Sequence, residues 1–232
     1  NHLNVIEETI EITNKNVTSS QRVELVNQAI SKYHPLFVFS INFFPSIAEI
    51  CHIHKTFYLC WTVDSPIPEL FSKSIQHDTN RIFMFDKAQY DLFAPYNPTC
   101  IYHLPLASAI DRFDSVINTI TPTERLKYTH DITFIGSLYN EKNPLSTLTL
   151  PPYIQGYING IVEASLKIYG YNFIEELITN ELINALKDAQ APFYTSANAI
   201  TDSDYYIAAH HYIGMQVAVT ERIRTLNELA KH

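Results

Sequence analysis

Four short apolar runs recur at intervals of about 20 residues along the first half of the chain: Leu36-Phe37-Val38-Phe39-Ser40, Phe57-Tyr58-Leu59-Cys60-Trp61, Arg81-Ile82-Phe83-Met84-Phe85 and Thr99-Cys100-Ile101-Tyr102-His103. Each is too short for a helix, rich in aromatic and β-branched residues, and bounded by polar or proline-containing stretches, the pattern of a buried strand. The segments between them carry apolar residues at helical spacing. Val23, Val26, Ala29 and Ile30 precede the first run, Ile47, Ile50 and Cys51 follow Pro45, and Leu70, Phe71 and Ile75 follow Pro68. Asp86 is placed to cap a short helix over 87–93. Such alternation predicts an α/β domain with a Rossmann-like, doubly wound parallel sheet and right-handed crossovers. Its expected bounds are 1–110, with the clearest part from residue 19 onward. Before residue 18 the pattern is weak, and Val5, Ile6, Ile10 and Ile12 fit either a short helix or an edge strand.

A chain of 232 residues can bury a sizeable core without covalent staples. Its three cysteines, Cys51, Cys60 and Cys100, form no Cys-x-x-Cys pair and read as reduced thiols of a cytoplasmic protein. Cys51-His52-Ile53-His54 gathers ligand-type side chains but lacks a second half-site, so no metal is expected. The net charge is −8 and the 16 Lys and Arg residues are scattered, which argues against nucleic acid or an anionic membrane as partner. No apolar run approaches the roughly 20 residues of a membrane span, and the N-terminus does not resemble a signal peptide. The triplet Asn16-Val17-Thr18 fits a glycosylation sequon, without meaning in a cytoplasmic protein. Only 5 glycines occur, and neither a G-x-G-x-x-G turn nor a Walker loop is among them, so a complete phosphate cradle is not expected. The first residue is not Met and the last lies within a helical pattern, as expected of part of a longer protein.

The second run leads directly into Thr62-Val63-Asp64-Ser65-Pro66. In a parallel sheet the loops at the carboxyl ends of the strands are where ligands bind, which singles out Asp64 and Ser65. Asp-Ser-Pro is equally a helix entry, with Asp64 or Ser65 as cap, and the two roles are compatible. By the same logic Asn42 and His103 stand at strand ends. Asn42 offers a side-chain amide there, and Trp61, at the end of its run, reads as a core side chain. His103, with an ordinary pKa near 6.5, suits proton transfer, or serves the structure before Leu104-Pro105.

Residues 111–130 are polar and irregular apart from Phe113, Val116 and Ile117, and read as a linker. Residues 131–232 read as one strand, Asp131 to Ser137, followed by three helices. Their apolar stripes are Ile154, Ile158 and Ile161; then Ile174, Leu177, Ile178, Leu182 and Leu186; then Met215, Val219, Ile223 and Leu226. Such stripes predict core.

Five strings occur in order: Ser40-Ile41-Asn42-Phe43-Phe44-Pro45, Trp61-Thr62-Val63-Asp64-Ser65-Pro66, His103-Leu104-Pro105-Leu106-Ala107, Phe134-Ile135-Gly136-Ser137-Leu138-Tyr139 and Gly156-Tyr157-Ile158-Asn159-Gly160. Through them the chain from about Leu36 to His232 resembles the DUF3880 and CgeB-like bacterial glycosyltransferases. The resemblance implies a GT-B fold, with two Rossmann-like domains facing a cleft, of which this chain would supply the N-terminal, acceptor-side half and the start of the donor-side half. It implies transfer of a sugar from a nucleotide-sugar, held as substrate rather than cofactor, to a small-molecule or glycan acceptor. Asp64 and His103 become the candidate catalytic residues, Asn42, Trp61 and Ser65 contact the acceptor, and Gly136 and Ser137 lie near the donor diphosphate unless Gly136 merely ends a strand. The remaining donor-domain strands would follow His232, so this stretch alone is expected to be inactive. The alternative is a non-catalytic Rossmann-like binding or regulatory module. A homodimer is compatible with either.

Overall fold

The computed structural model describes residues 4–7, 19–193 and 198–231. The element expected around Ile10 and Ile12, and the sequon at Asn16, lie outside the described residues. The chain divides into two compact units, Asn1–Pro105 with Pro192–Ile207, and Leu106–Ala191 with Ala208–His232.

The first unit is α/β. Helix α1 (Ser19–Tyr33) leads to strand β1 (Phe37–Ile41), α2 (Pro45–Ile53) to β2 (Phe57–Thr62), two 3-10 turns (Pro68–Phe71 and Lys73–Gln76) to β3 (Asn80–Met84), and α3 (Lys87–Phe93) to β4 (Ile101–His103). All pairings are parallel, and the spatial order is β1-β2-β3-β4. The sheet is therefore Rossmann-like in its repeated parallel crossovers. It differs from the doubly wound arrangement in one respect: the order never reverses within these four strands, so no switch point lies among them. Right-handed crossovers that always step the same way put every connection on one face.

Burial follows from that topology. Tyr58, Cys60, Thr62, Asn80, Ile82, Met84 and Ile101 alternate along β2, β3 and β4 and are buried, together with Val26 and Ile30 of α1, Ile47 and Ile50 of α2, and Phe93 of α3. The intervening residues Phe39, Ile41, Phe57 and Tyr102 remain exposed, while Leu59, Trp61 and Phe83 are half-buried. Residues 68–75, expected as one helix, fall in two 3-10 turns instead. Ser72 adopts an extended conformation between them and its hydroxyl caps the second, so the helical ladder is interrupted there.

The second unit is helical among its described residues. Residues 111–130, expected as a linker, belong to two helices, α4 (Ile110–Thr119) and α5 (Pro122–Lys127). Thr121 and Glu124 close a reciprocal capping box at the start of α5. The strand expected over 131–137 does not form. A strand requires a neighbour to satisfy its backbone groups, and no strand is present in this unit among the described residues. There follow α6 (Pro152–Ser165) and α7 (Asn180–Asp188); after the return to the first unit, which holds a single turn α8 (Asp204–Tyr206), a π-helix over Ile207–Ile213 leads into α9 (Gly214–Leu229). The second expected helix is shorter than its stripe, because Glu175–Leu177 is a separate 3-10 turn and Thr179 caps a new start. Gly214 follows the π-helix where a Cβ would come within 3.2 Å of the Ala209 carbonyl oxygen, a close approach that favours glycine. Ile154, Ile158, Ile161, Leu182 and Leu186 are buried, as their spacing predicts, but Leu177 is exposed, and of the third stripe only Val219 is buried while Met215, Ile223 and Leu226 are half-buried.

Candidate functional site at the carboxyl edge of the sheet

Because all four strands run parallel, their last residues reach one edge, and the loops that follow them carry the polar side chains. The first loop is shaped from beneath by a buried tyrosine. The Phe44 amide donates to the Tyr58 hydroxyl at 3.0 Å. Tyr58 and Ser40 hydroxyls lie 2.6 Å apart, and Ser40 Oγ donates to the Asn42 carbonyl at 2.7 Å. With Ser40's hydrogen so committed, the Tyr58 hydroxyl is the donor between them. Burial, then the neighbouring Cys60, push the Tyr58 pKa well above its ordinary value, so it keeps its proton and the chain of bonds stays intact.

This mooring holds Asn42 in the left-handed region, φ 62°, where asparagine is among the few residues at ease. From there Asn42 reaches the adjacent strand. Its Nδ2 donates to Asp64 Oδ2 at 2.6 Å, and its Oδ1 accepts from the Val63 amide at 2.9 Å. One loop further along, Ser65 Oγ donates to Asp86 Oδ2 at 2.5 Å, and Asp86 Oδ1 accepts from the Ala88 amide at 2.8 Å, so Asp86 caps α3 as its sequence position predicts. Burial opposes the charge on Asp86, but hydrogen bonds from Ser65, the Ala88 amide and Gln89 outweigh it and hold this carboxyl below its usual range. The ends of β1, β2 and β3 are thus tied in spatial order by bonds in which side chains of the loops take part.

Asn42, Asp64 and Ser65 are brought together by this network, and Asp86 joins them. The signal for Asp86 was its position, two residues past the end of β3 as Asp64 is two past the end of β2. His103 stands apart. It ends β4, which is separated from β2 by β3, so Asp64 and His103 sit on strands about 10 Å apart and cannot flank a single hydroxyl as neighbours. The His103 ring lies instead beside Tyr90, with centroids 5.7 Å apart. Trp61 is not a core residue. It projects from the open face of the sheet, in register with Ile41 and Phe83, and its indole N–H donates to the Leu104 carbonyl at 3.4 Å.

Gly136 and Ser137 lie in the other unit. There Ser137 Oγ donates to Glu141 at 2.7 Å and accepts from the Tyr139 amide at 3.0 Å, while the Ser137 carbonyl accepts from Arg222 at 2.7 Å. The Arg222 guanidinium also covers the Tyr139 ring at 4.3 Å. A Cβ on Gly136 would come within 3.3 Å of the Phe134 ring.

Chemically, the edge offers a fixed, solvent-exposed carboxylate flanked by a second, capped one. Asp64 has one oxygen engaged by Asn42; its other oxygen can accept a hydrogen bond or a proton. Lys87, next to Asp86 in sequence, is paired with Asp91 at 2.5 Å. No group of three or more side chains able to hold a metal ion occurs among the described residues, and no described helix is long and apolar enough to cross a membrane. The chain matches no protein-family profile, no characterised protein and no solved structure.

Proposed function

We propose that the α/β unit is the acceptor-side half of a GT-B glycosyltransferase, in which Asp64 takes or orients the proton of the attacking acceptor hydroxyl. The observation that supports this reading is the exposed Asp64 carboxylate at the carboxyl edge of an all-parallel sheet, with Asn42 on one oxygen and the other open. An oxygen nucleophile needs its proton accepted as it attacks, and a positioned carboxylate contributes on the order of 10² to 10⁴ in rate. The donor diphosphate would be gripped elsewhere, because the Asp64 and Asp86 edge brings negative rather than positive charge.

The test uses the full-length protein and a panel of UDP-, GDP- and dTDP-sugars, with release of nucleoside diphosphate as readout. Asp64→Asn is expected to retain fold and donor affinity and to lower turnover by about 10² to 10⁴. Unchanged turnover at saturating donor and acceptor would leave Asp64 a structural residue; no release by the wild-type protein from any donor would count against the transferase itself. A second reading, a non-catalytic binding module, is favoured by the open aromatic face formed by Phe39, Ile41, Phe57 and Tyr102, which suits a macromolecular contact better than catalysis.

A further inference from the structure

We infer that Asn42 is a positioning residue for Asp64 and not a ligand of the sugar, an inference that rests on the acceptor-side reading for its catalytic consequence. The geometry carries it. A side-chain amide has an acceptor oxygen and two N–H donors. Here the oxygen is occupied by the Val63 amide at 2.9 Å and one N–H by Asp64 at 2.6 Å, both from the same loop of the adjacent strand. Together these bonds fix the orientation of the amide, since exchanging its nitrogen and oxygen would set N–H against N–H at Val63 and oxygen against oxygen at Asp64. The backbone under Asn42 is equally fixed. Its N–H donates to the Trp61 carbonyl at 2.9 Å, its carbonyl accepts from Ser40, and Phe43 beside it is buried and packs against the Tyr58 ring at 5.9 Å. The Asp64 carboxylate, exposed and on a loop, draws its side-chain orientation from Asn42. A charged hydrogen bond of this kind holds one oxygen inward and presents the other to solvent, which is the geometry a proton acceptor needs.

Two substitutions separate this role from loop shape. Asn42→Gly keeps the left-handed backbone at no steric cost but deletes the amide. Asn42→Asp also tolerates that backbone and keeps an acceptor for Val63, but turns a carboxylate oxygen toward Asp64 where a donor stood. In the full-length protein, Asn42→Gly is expected to lower kcat about tenfold or more with the acceptor KM within about threefold, and Asn42→Asp to fall at least as far. A rise in KM with kcat unchanged would make Asn42 a sugar ligand and overturn the inference, as would wild-type turnover in Asn42→Asp. A readout independent of activity is the urea midpoint of unfolding. If the two side chains act as a pair, Asn42→Gly combined with Asp64→Ala loses less than the sum of the single losses, whereas additive losses would overturn the pairing. Failure of the transferase reading is distinguishable, because it appears as no release of nucleoside diphosphate by the wild-type protein from any donor, while the coupling between Asn42 and Asp64 in the unfolding midpoint persists.

Discussion

One sheet presents two faces built from the same four strands and nearly the same kinds of residue, yet their fates differ. On one face Tyr58, Cys60, Ile82 and Met84 are fully buried beneath α2, the 3-10 turns and α3. On the other, Phe39 is 54% exposed, Ile41 and Phe57 are 47% exposed, and Tyr102 is 39% exposed. Apolar content does not distinguish them, since the open face is the more aromatic. What differs is chain path: a strand order that advances in one direction delivers every right-handed connection to the same side. Parallel sheets ordinarily carry cover on both faces, so the aromatic side reads as a surface built for contact. The open face is also partly self-protected. Arg81 stands among its aromatics with its guanidinium over the Phe57 ring at 4.7 Å, and it donates to the Asp78 carbonyl at 2.8 Å and toward Cys100 Sγ at 3.4 Å.

The largest effect expected from this contrast is on the covered face. Ile82→Ala removes a side chain with no exposed area at the middle of the sheet. Loss of transfer energy and the cavity left behind should together cost about 2 to 5 kcal/mol in chemical denaturation. A cost near that of an exposed site would show that the covered face is loosely packed. Tyr58→Phe should cost less, about 1 to 3 kcal/mol, because it preserves the ring but strands the Phe44 amide and deprives Ser40 of its donor. Since those bonds shape the loop that carries Asn42, on the proposed acceptor-side reading this substitution should also reduce turnover. A neutral Tyr58→Phe would remove the tyrosine from the support of the site.

Much of this was legible in the residues. The strands announced themselves because each is a short apolar run with punctuation on both sides, and Asp64 could be placed because a strand-to-loop corner has a known polarity in a parallel sheet. Other features needed tertiary information. The tie between Asn42 and Asp64 depends on β1 lying next to β2, and the separation of His103 from Asp64 depends on β3 lying between their strands; spatial order is not written in local pattern. Residues 131–137 carry every local mark of a strand, but strand formation is a property of pairs. The helices over 110–127 were within reach of sequence: Ile110, Phe113 and Ile117 recur at i, i+3 and i+7, and Thr121-Pro122-Thr123-Glu124 is a capping box with proline at the first helical position.

The smallest expected effect is the one that tests the comparison most directly. Phe39 sits in β1 opposite Leu59, on the open face, with roughly half its surface in contact with solvent. Phe39→Thr preserves β propensity, because threonine is β-branched and fits a pleated strand, while it removes the aromatic ring. If the open face is solvent-facing in the isolated protein, little buried area is lost, and the change in unfolding free energy should stay within about 0.5 kcal/mol. Binding of an apolar fluorescent dye should fall at the same time, since the patch that attracts it has lost its most exposed ring. A loss of several kcal/mol instead, comparable to Ile82→Ala, would mean that Phe39 is buried in solution and that the two faces of the sheet are energetically alike. Dye binding separates the two outcomes even if stability is measured imperfectly, because a face already covered binds little dye before the substitution and gains none from it.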